Sequence, residues 1–345
     1  MTRNQMESKN QFCTLTNKTG MSVEFSNYGA LIGKIYVRDK EGKQVPVTLS
    51  LPEVSAYEKQ NYYLGAMMGR YAGRIPYGEF ILNGNKYDII KNNGLHTLHG
   101  GHGLDRRMWD METFSDEQGQ GVIFSILSPD GDSGFPGNLQ IKVVYKLYDD
   151  LNDLEVWIQA KSDQTTQINL AQHSYFNLNG IHSKIDNHYI TIASDCHSKV
   201  DSELMPLGGW ESFEPRMLNE RGCFEYKPID TIWTEVPFEM DHTLLLNKSM
   251  VSHARAWSPI SGIQLDVKTT QPTLHIYTGN FLPDGDAYFN SLGISRKSGF
   301  CFETMRVPNT KEFADYPSTV LEKGQLFDEK TRFEFRIVDH YNSFL

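Results

Sequence analysis

L-Q-I-K-V-V-Y-K-L-Y, Leu139 to Tyr148, runs through the polar turn D-D-L-N-D (Asp149 to Asp153) into L-E-V-W-I-Q-A, Leu154 to Ala160. Apolar and polar residues come close to alternating in both halves, the pattern of strands with one face buried and one face wet. The same period recurs along the chain. Phe80 to Leu82 and Lys86 to Ile90 flank Asn83-Gly84, a hairpin signal because both turn residues tolerate positive φ. Met21 to Phe25, Leu31 to Val37, Val122 to Leu127, His188 to Ile192, Gly262 to Thr269, Thr273 to Tyr277 and Phe333 to Val338 read as further strands. Long helical periodicity is nearly absent. Turn clusters such as Pro129 to Gly134 and Leu207-Gly208-Gly209 fall between the strand candidates, with no linker and no internal repeat. The expectation is an all-β fold, a large and mainly antiparallel sandwich with few short helices, formed by residues 1–345 as one domain. Residues 1–12 are polar and read as a flexible N-terminal tail.

Of the 345 residues, 39% are hydrophobic and 12% aromatic, enough for a large core and too apolar for a disordered chain. Lys and Arg number 33 against 43 Asp and Glu, a formal charge of -10, and no basic run could neutralise several phosphates. Nucleic acid is therefore not an expected partner. No apolar stretch approaches the roughly 20 residues of a membrane helix, and the start of the chain has no signal-like apolar region. The four cysteines, Cys13, Cys196, Cys223 and Cys301, are far apart and form no C-x-x-C. Reduced thiols in the cytoplasm fit that spacing better than a disulfide framework.

Two core-like runs contain an isolated ionisable group. In Asn169 to Leu178, N-L-A-Q-H-S-Y-F-N-L, an extended chain would place Asn169, Ala171, His173, Tyr175 and Asn177 on one face and Leu170, Gln172, Ser174, Phe176 and Leu178 on the other. In Ser298 to Thr304, S-G-F-C-F-E-T, Glu303 shares a face with Cys301 and Met305, opposite Phe300 and Phe302. Burying such groups without partners is costly, so either each has a structural partner or the two form an acid/base pair. For His173 the structural alternative is a carbonyl; for Glu303 it is an ion pair, with Arg306 as one candidate. His96, His99 and His102 recur at every third position, but Gly94, Gly100, Gly101 and Gly103 break any helix that would converge them on zinc. A glycine-lined loop delivering one histidine to a cleft is the better reading. Gly69 to Ile75, G-R-Y-A-G-R-I, offers Arg70 and Arg74 between small residues, a setting in which guanidinium donors can meet hydroxyls or carboxylates. Asp241-His242 opens a strand-like T-L-L-L and can either cap a turn or accept sugar hydroxyls. Walker, G-x-G-x-x-G and calcium-loop patterns are absent.

Taken in order, G-R-Y-A-G-R-I (Gly69 to Ile75), L-H-G-G (Leu98 to Gly101), G-F-P-G-N-L (Gly134 to Leu139), Q-H-S-Y-F-N-L (Gln172 to Leu178), D-H (Asp241, His242), T-T-Q-P-T-L-H-I-Y-T-G-N-F-L (Thr269 to Leu282) and G-F-C-F-E-T (Gly299 to Thr304) resemble the aldose 1-epimerase (galactose mutarotase) family over nearly the whole chain. The resemblance implies a β-supersandwich with an open sugar cleft and no cofactor. It implies His173 as general acid and Glu303 as general base. It also implies that His99, Arg74 and Asp241 hold sugar hydroxyls or the ring oxygen, and Gly73, Ser174, Tyr175 and His275 complete the candidate sugar-binding set. The implied reaction interconverts the α and β anomers of free aldohexoses such as galactose and glucose. The implied partner is a monosaccharide, with the protein a monomer or weak homodimer and without a membrane or metal role. Five positions depart from the family pattern: Ala171 and Gln172 where many members have Thr and Asn, Gly73 where many have Asn, and His275 and Met305 where Gln is usual. These departures leave a non-catalytic or altered-specificity carbohydrate-binding protein as the alternative. A phosphorylated sugar would instead need Arg70, Arg74, Arg106 and Arg107 as a cluster. A glycosidase would need Asp241 and Glu303 across a glycosidic bond.

Overall fold

Leu139–Tyr148 is a strand with the bounds its alternation predicts, and Leu139, Ile141, Val143, Tyr145 and Leu147 are its buried residues. In the computed structural model, which describes residues 11–228 and 239–342, it pairs antiparallel with Gly119–Ser128 on one side and Asp153–Ser162 on the other. These strands belong to a nine-stranded sheet in the spatial order Asp110–Asp116, Gly119–Ser128, Leu139–Tyr148, Asp153–Ser162, Leu326–Ile337, Ile263–Thr269, Ala254–Trp257, Tyr189–Ile192 and Phe224–Tyr226. Leu326–Ile337, the last of them in sequence, lies in the interior between Asp153–Ser162 and Ile263–Thr269.

A six-stranded sheet runs Tyr175–Phe176, Phe300–Met305, Thr273–Tyr277, Asp241–Leu245, Cys196–Val200 and Pro206–Ser212. A four-stranded sheet, Phe12–Thr16 to Gln44–Pro46, completes the larger layers. One apolar cluster joins all three: Phe25 and Ile35 from the smallest sheet, Leu274, Ile276, Phe300 and Phe302 from the middle one, and Phe124, Val143, Phe333 and Phe335 from the largest. Phe176 links two layers, with ring centroids 6.0 Å from Phe300 and 5.3 Å from Phe333. Each such phenylalanine contributes about 1.5–3 kcal/mol by leaving water. The all-β sandwich is as expected, and the α-helices among the described residues are the short Val54–Glu58 and Ala287–Ser291. None of the described helices is long and apolar enough to cross a membrane.

Asn83 and Gly84 both adopt positive φ, 51° and 77°, and close the hairpin between Glu79–Leu82 and Asn85–Asp88 as their spacing predicts. Three expectations change. The proposed tail falls outside the described residues up to 10, and Phe12 already belongs to the first strand. Leu207-Gly208-Gly209 is not a turn between strands but a bulge inside Pro206–Ser212. Val200 faces Pro206 and Ser198 faces Trp210, so the extra residues arch out, which glycine φ values of 77° and 82° permit. The Asn169 to Leu178 stretch is not one strand: Ala171–Gln172 pairs with Met67–Met68, whereas Tyr175–Phe176 pairs with Phe300–Met305. The chain changes sheets at His173-Ser174, where the Ser174 N–H donates to Gln172 Oε1 at 2.7 Å, so strict alternation fails there.

Candidate functional site

Register in the six-stranded sheet assembles the site. Thr243 faces His275 and His275 faces Glu303, while in the adjacent row Asp241 faces Tyr277, Tyr277 faces Cys301 and Cys301 faces Tyr175. Because side chains alternate, these residues share one face of the sheet and Leu274, Ile276, Phe300 and Phe302 occupy the other, in the core. The polar face forms the wall of a cavity of about 150 Å³. A short pairing that sets Arg74 opposite Leu98 brings Arg74 and His99 to the same place. His173, Glu303, Arg74, His99, Tyr175, Asp241, Gly73 and His275 all line the cavity. Ser174, the remaining candidate, does not: it is buried beside the sheet change and its hydroxyl has no hydrogen-bond partner.

His173 is 4% exposed and Glu303 2%, with the imidazole Nε2 3.6 Å from Glu303 Oε1. The rings of Tyr175, His99, Tyr63 and Tyr277 surround the imidazole, with centroids 4.9, 5.5, 6.0 and 6.4 Å away. Arg306, the alternative partner considered for Glu303, turns instead to the Ser318 carbonyl and Glu329. The structure thus sets the imidazole and the carboxylate against each other across the cavity, with Glu303 turned away from Arg306.

The surrounding groups have fixed polarity. His275 Nε2 lies 2.7 Å from Asp241 Oδ1 and its Nδ1 lies 2.9 Å from the Thr243 hydroxyl, while Arg74 Nη2 reaches Asp241 Oδ2 at 3.2 Å. Burial works against the charge on Asp241, but His275 and then Arg74 outweigh it and hold the carboxyl well below the usual range. Arg74 lines the cavity, and its Nε is buried with no hydrogen-bond partner. His99 accepts the Gly73 N–H on Nδ1 at 3.2 Å, and burial, reinforced by His173 and Arg74, pushes its proton affinity well down. It is therefore neutral with its proton on Nε2. Burial raises the Tyr63 phenol to about 12 and lifts Tyr175 and Tyr277 far above their usual values, so all three remain protonated.

Other candidates lie elsewhere. His96 accepts the Tyr77 N–H and faces Glu203, and neither it nor His102 reaches the cavity. Arg70 is buried against the carbonyls of Ser128, Pro129, Pro136 and Gly137, Arg107 pairs with Asp132, and Arg106 binds the Gln60 carbonyl and Asn61. A phosphate cluster is not assembled. Among the described residues one group of three has metal-ligating atoms within 4.8 Å of one another: His173, Cys301 and Glu303. The thiol and carboxylate flank opposite nitrogens of the ring, which suits a hydrogen-bonded pair better than convergence on one ion. Tyr63, Tyr277 and Met305 also line the cavity. Tyr277 and Met305 had a signal, their shared parity with His275 and Glu303. Tyr63 had none, because it stands outside any strand at a φ of 57°. The departures at Ala171 and Gln172 do not reach the wall, whereas His275 and Met305 do.

Comparison with known proteins gives the same reading. The aldose 1-epimerase family model matches residues 11–334. The chain is 36% identical to the galactose mutarotase of Bos taurus over 324 residues, 92% of each chain, and 31% identical to the aldose 1-epimerase of Escherichia coli over 93% of this chain and 94% of that one. Among solved structures, an aldose epimerase homologue from C. elegans superposes with a TM-score of 0.84 at 26% identity, covering 95% of this chain and 99% of that one. Galactose 1-epimerase from Lactobacillus acidophilus gives 0.80 at 27% identity, with the same two coverages. With its fold and its sequence in agreement over residues 11–334, the chain belongs to the aldose 1-epimerase family, isomerases that interconvert the anomers of an aldose.

Proposed function

We propose that the protein interconverts the α and β anomers of free aldohexoses such as galactose and glucose, with Glu303 as base and His173 as acid. The observation that carries this is the opposed imidazole and carboxylate, 3.6 Å apart on one cavity. Glu303 takes the proton of the C1 hydroxyl while His173 protonates the ring oxygen, and the bond from C1 to that oxygen breaks to give the aldehyde. Rotation about C1–C2 presents the other carbonyl face. On reclosure His173 takes back its proton and Glu303 returns one to O1, so both anomers are reached by the same pair. Asp241 accepts from sugar hydroxyls, and the Arg74 guanidinium and His99 Nε2–H donate to them; Gly73, Tyr175 and His275 shape the wall. These proton transfers require no cofactor. A cavity of about 150 Å³ supports a small sugar as the ligand, and we propose a monomer or weak homodimer. A core that runs from Leu15 to Phe335 supports one folding unit. Free thiols at all four cysteines support the cytoplasm as its location.

Polarimetry on freshly dissolved α-D-galactose and α-D-glucose tests the assignment. His173→Asn and Glu303→Gln should each lower kcat by about a hundred- to ten-thousand-fold, with circular dichroism unchanged. Wild-type turnover in either variant removes the assigned role, and calorimetric galactose binding without acceleration over buffer would favour the binding-only alternative.

A further inference from the structure

The imidazole of His173 has two nitrogens with different neighbours. Nε2 faces Glu303, whereas Nδ1 lies 3.5 Å from the Sγ of Cys301, a residue with no exposed surface that is not part of the cavity wall. Cys301 is locked in place: its strand is flanked by Tyr175 on one side and Tyr277 on the other. The titratable groups that face the ring are therefore Glu303 and Cys301 from Phe300–Met305, Tyr175 and Tyr277 from the strands beside it, and Tyr63 and His99 from the loops.

Reversible proton transfer places a demand on Nδ1. When Nε2 has given its proton to the sugar, the neutral ring must keep its remaining proton on Nδ1, or Nε2 has no lone pair with which to take a proton back at reclosure. Nδ1 is then a donor before and after transfer, and it is enclosed where an unsatisfied donor is costly. The sulfur of a neutral thiol accepts weakly, which satisfies the N–H without adding a second carboxylate beside Glu303. A group that only donated would move the neutral ring's proton to Nε2. Burial, and then Glu303 and Asp241, raise the Cys301 thiol far above its ordinary range, so it remains a thiol.

We infer that Cys301 is a positioning residue for the epimerase reaction: its sulfur accepts the Nδ1–H of His173 and fixes the tautomer in which Nε2 faces the substrate. The inference rests on the acid role proposed for His173.

Nitrogen NMR on protein labelled at histidine, at a pH where the ring is neutral, should show the His173 proton on Nδ1. In Cys301→Val, which removes the acceptor and adds one methyl group, the proton should move to Nε2 and kcat should fall about 10- to 100-fold with little change in KM. Cys301→Ser, whose hydroxyl can accept, should retain the Nδ1 tautomer and recover most of that loss. A wild-type spectrum with the proton on Nε2 overturns the inference, as does a folded valine variant with wild-type kcat and pH profile. Should the valine variant not fold, the wild-type spectrum and the serine variant decide by the same criteria. The tautomer is read without turnover, so full activity in His173→Asn would defeat the acid assignment while leaving the sulfur contact to be judged separately.

Discussion

Gly73 carries a constraint out of proportion to its size. Its φ is +85°, and a Cβ built on it would lie 2.4 Å from Cγ of Pro308, which also lines the cavity. A side chain there meets both backbone strain and a rigid ring. Gly73→Ala should lose about 1–3 kcal/mol of stability, read as a lower urea midpoint. It should also raise KM, because the Gly73 N–H is the donor that fixes the His99 tautomer. An alanine variant with an unchanged midpoint would refute the clash.

The strand Phe300–Met305 shows how one element serves both stability and chemistry. All six residues are buried, yet Phe300 and Phe302 enter the main core while Cys301, Glu303 and Met305 turn toward the site. Phe300→Ala should cost about 3–5 kcal/mol, seen in denaturant titration. Where the enzyme is still folded, the KM for galactose should change little, since Phe300 does not touch the cavity. A loss well below that range would mean that the core collapses around the gap. The two faces of this strand were legible in the sequence because Cys301, Glu303 and Met305 fall at alternate positions opposite Phe300 and Phe302, and near-alternation likewise placed Thr273–Tyr277 and Leu139–Tyr148 residue by residue. The His173 segment was only half legible: its residue types marked a site, but the change of sheet at Ser174 depends on which strand each half finds, a long-range fact that periodicity does not carry. Ser174, which alternation already set on the face opposite His173, entered the candidate set with the family resemblance, whereas Tyr63, outside any strand, carried no signal. Cys301 sat in plain view beside Glu303, but only the folded register brings a thiol from one segment to the imidazole of another.

Across the whole molecule, neutral buried histidines set the response to acid. His188 donates from Nδ1 to the Ile185 carbonyl at 3.1 Å and accepts the Leu178 N–H on Nε2 at 2.9 Å, and burial pulls its value from 6.5 down to about 4. Burial likewise lowers His253 to about 4, and burial with His197 and His275 lowers His242 to about 4. Between those values and the unfolded value of about 6.5 the unfolded chain binds more protons than the folded one, so stability falls as pH falls through that window. Each such group steepens the loss by up to about 1.4 kcal/mol per pH unit. Thermal melts should therefore show a lower Tm at about pH 5 than at about pH 7, and a flat Tm over that range would contradict the buried neutral histidines. Finally, Leu326–Ile337 lies between Asp153–Ser162 and Ile263–Thr269 in the nine-stranded sheet but follows both in the chain. During synthesis on the ribosome these two neighbours wait with bare edges until that late segment emerges, and bare edges recruit other chains. Yield in a cell should thus depend on chaperones that shield the unfinished halves of the protein.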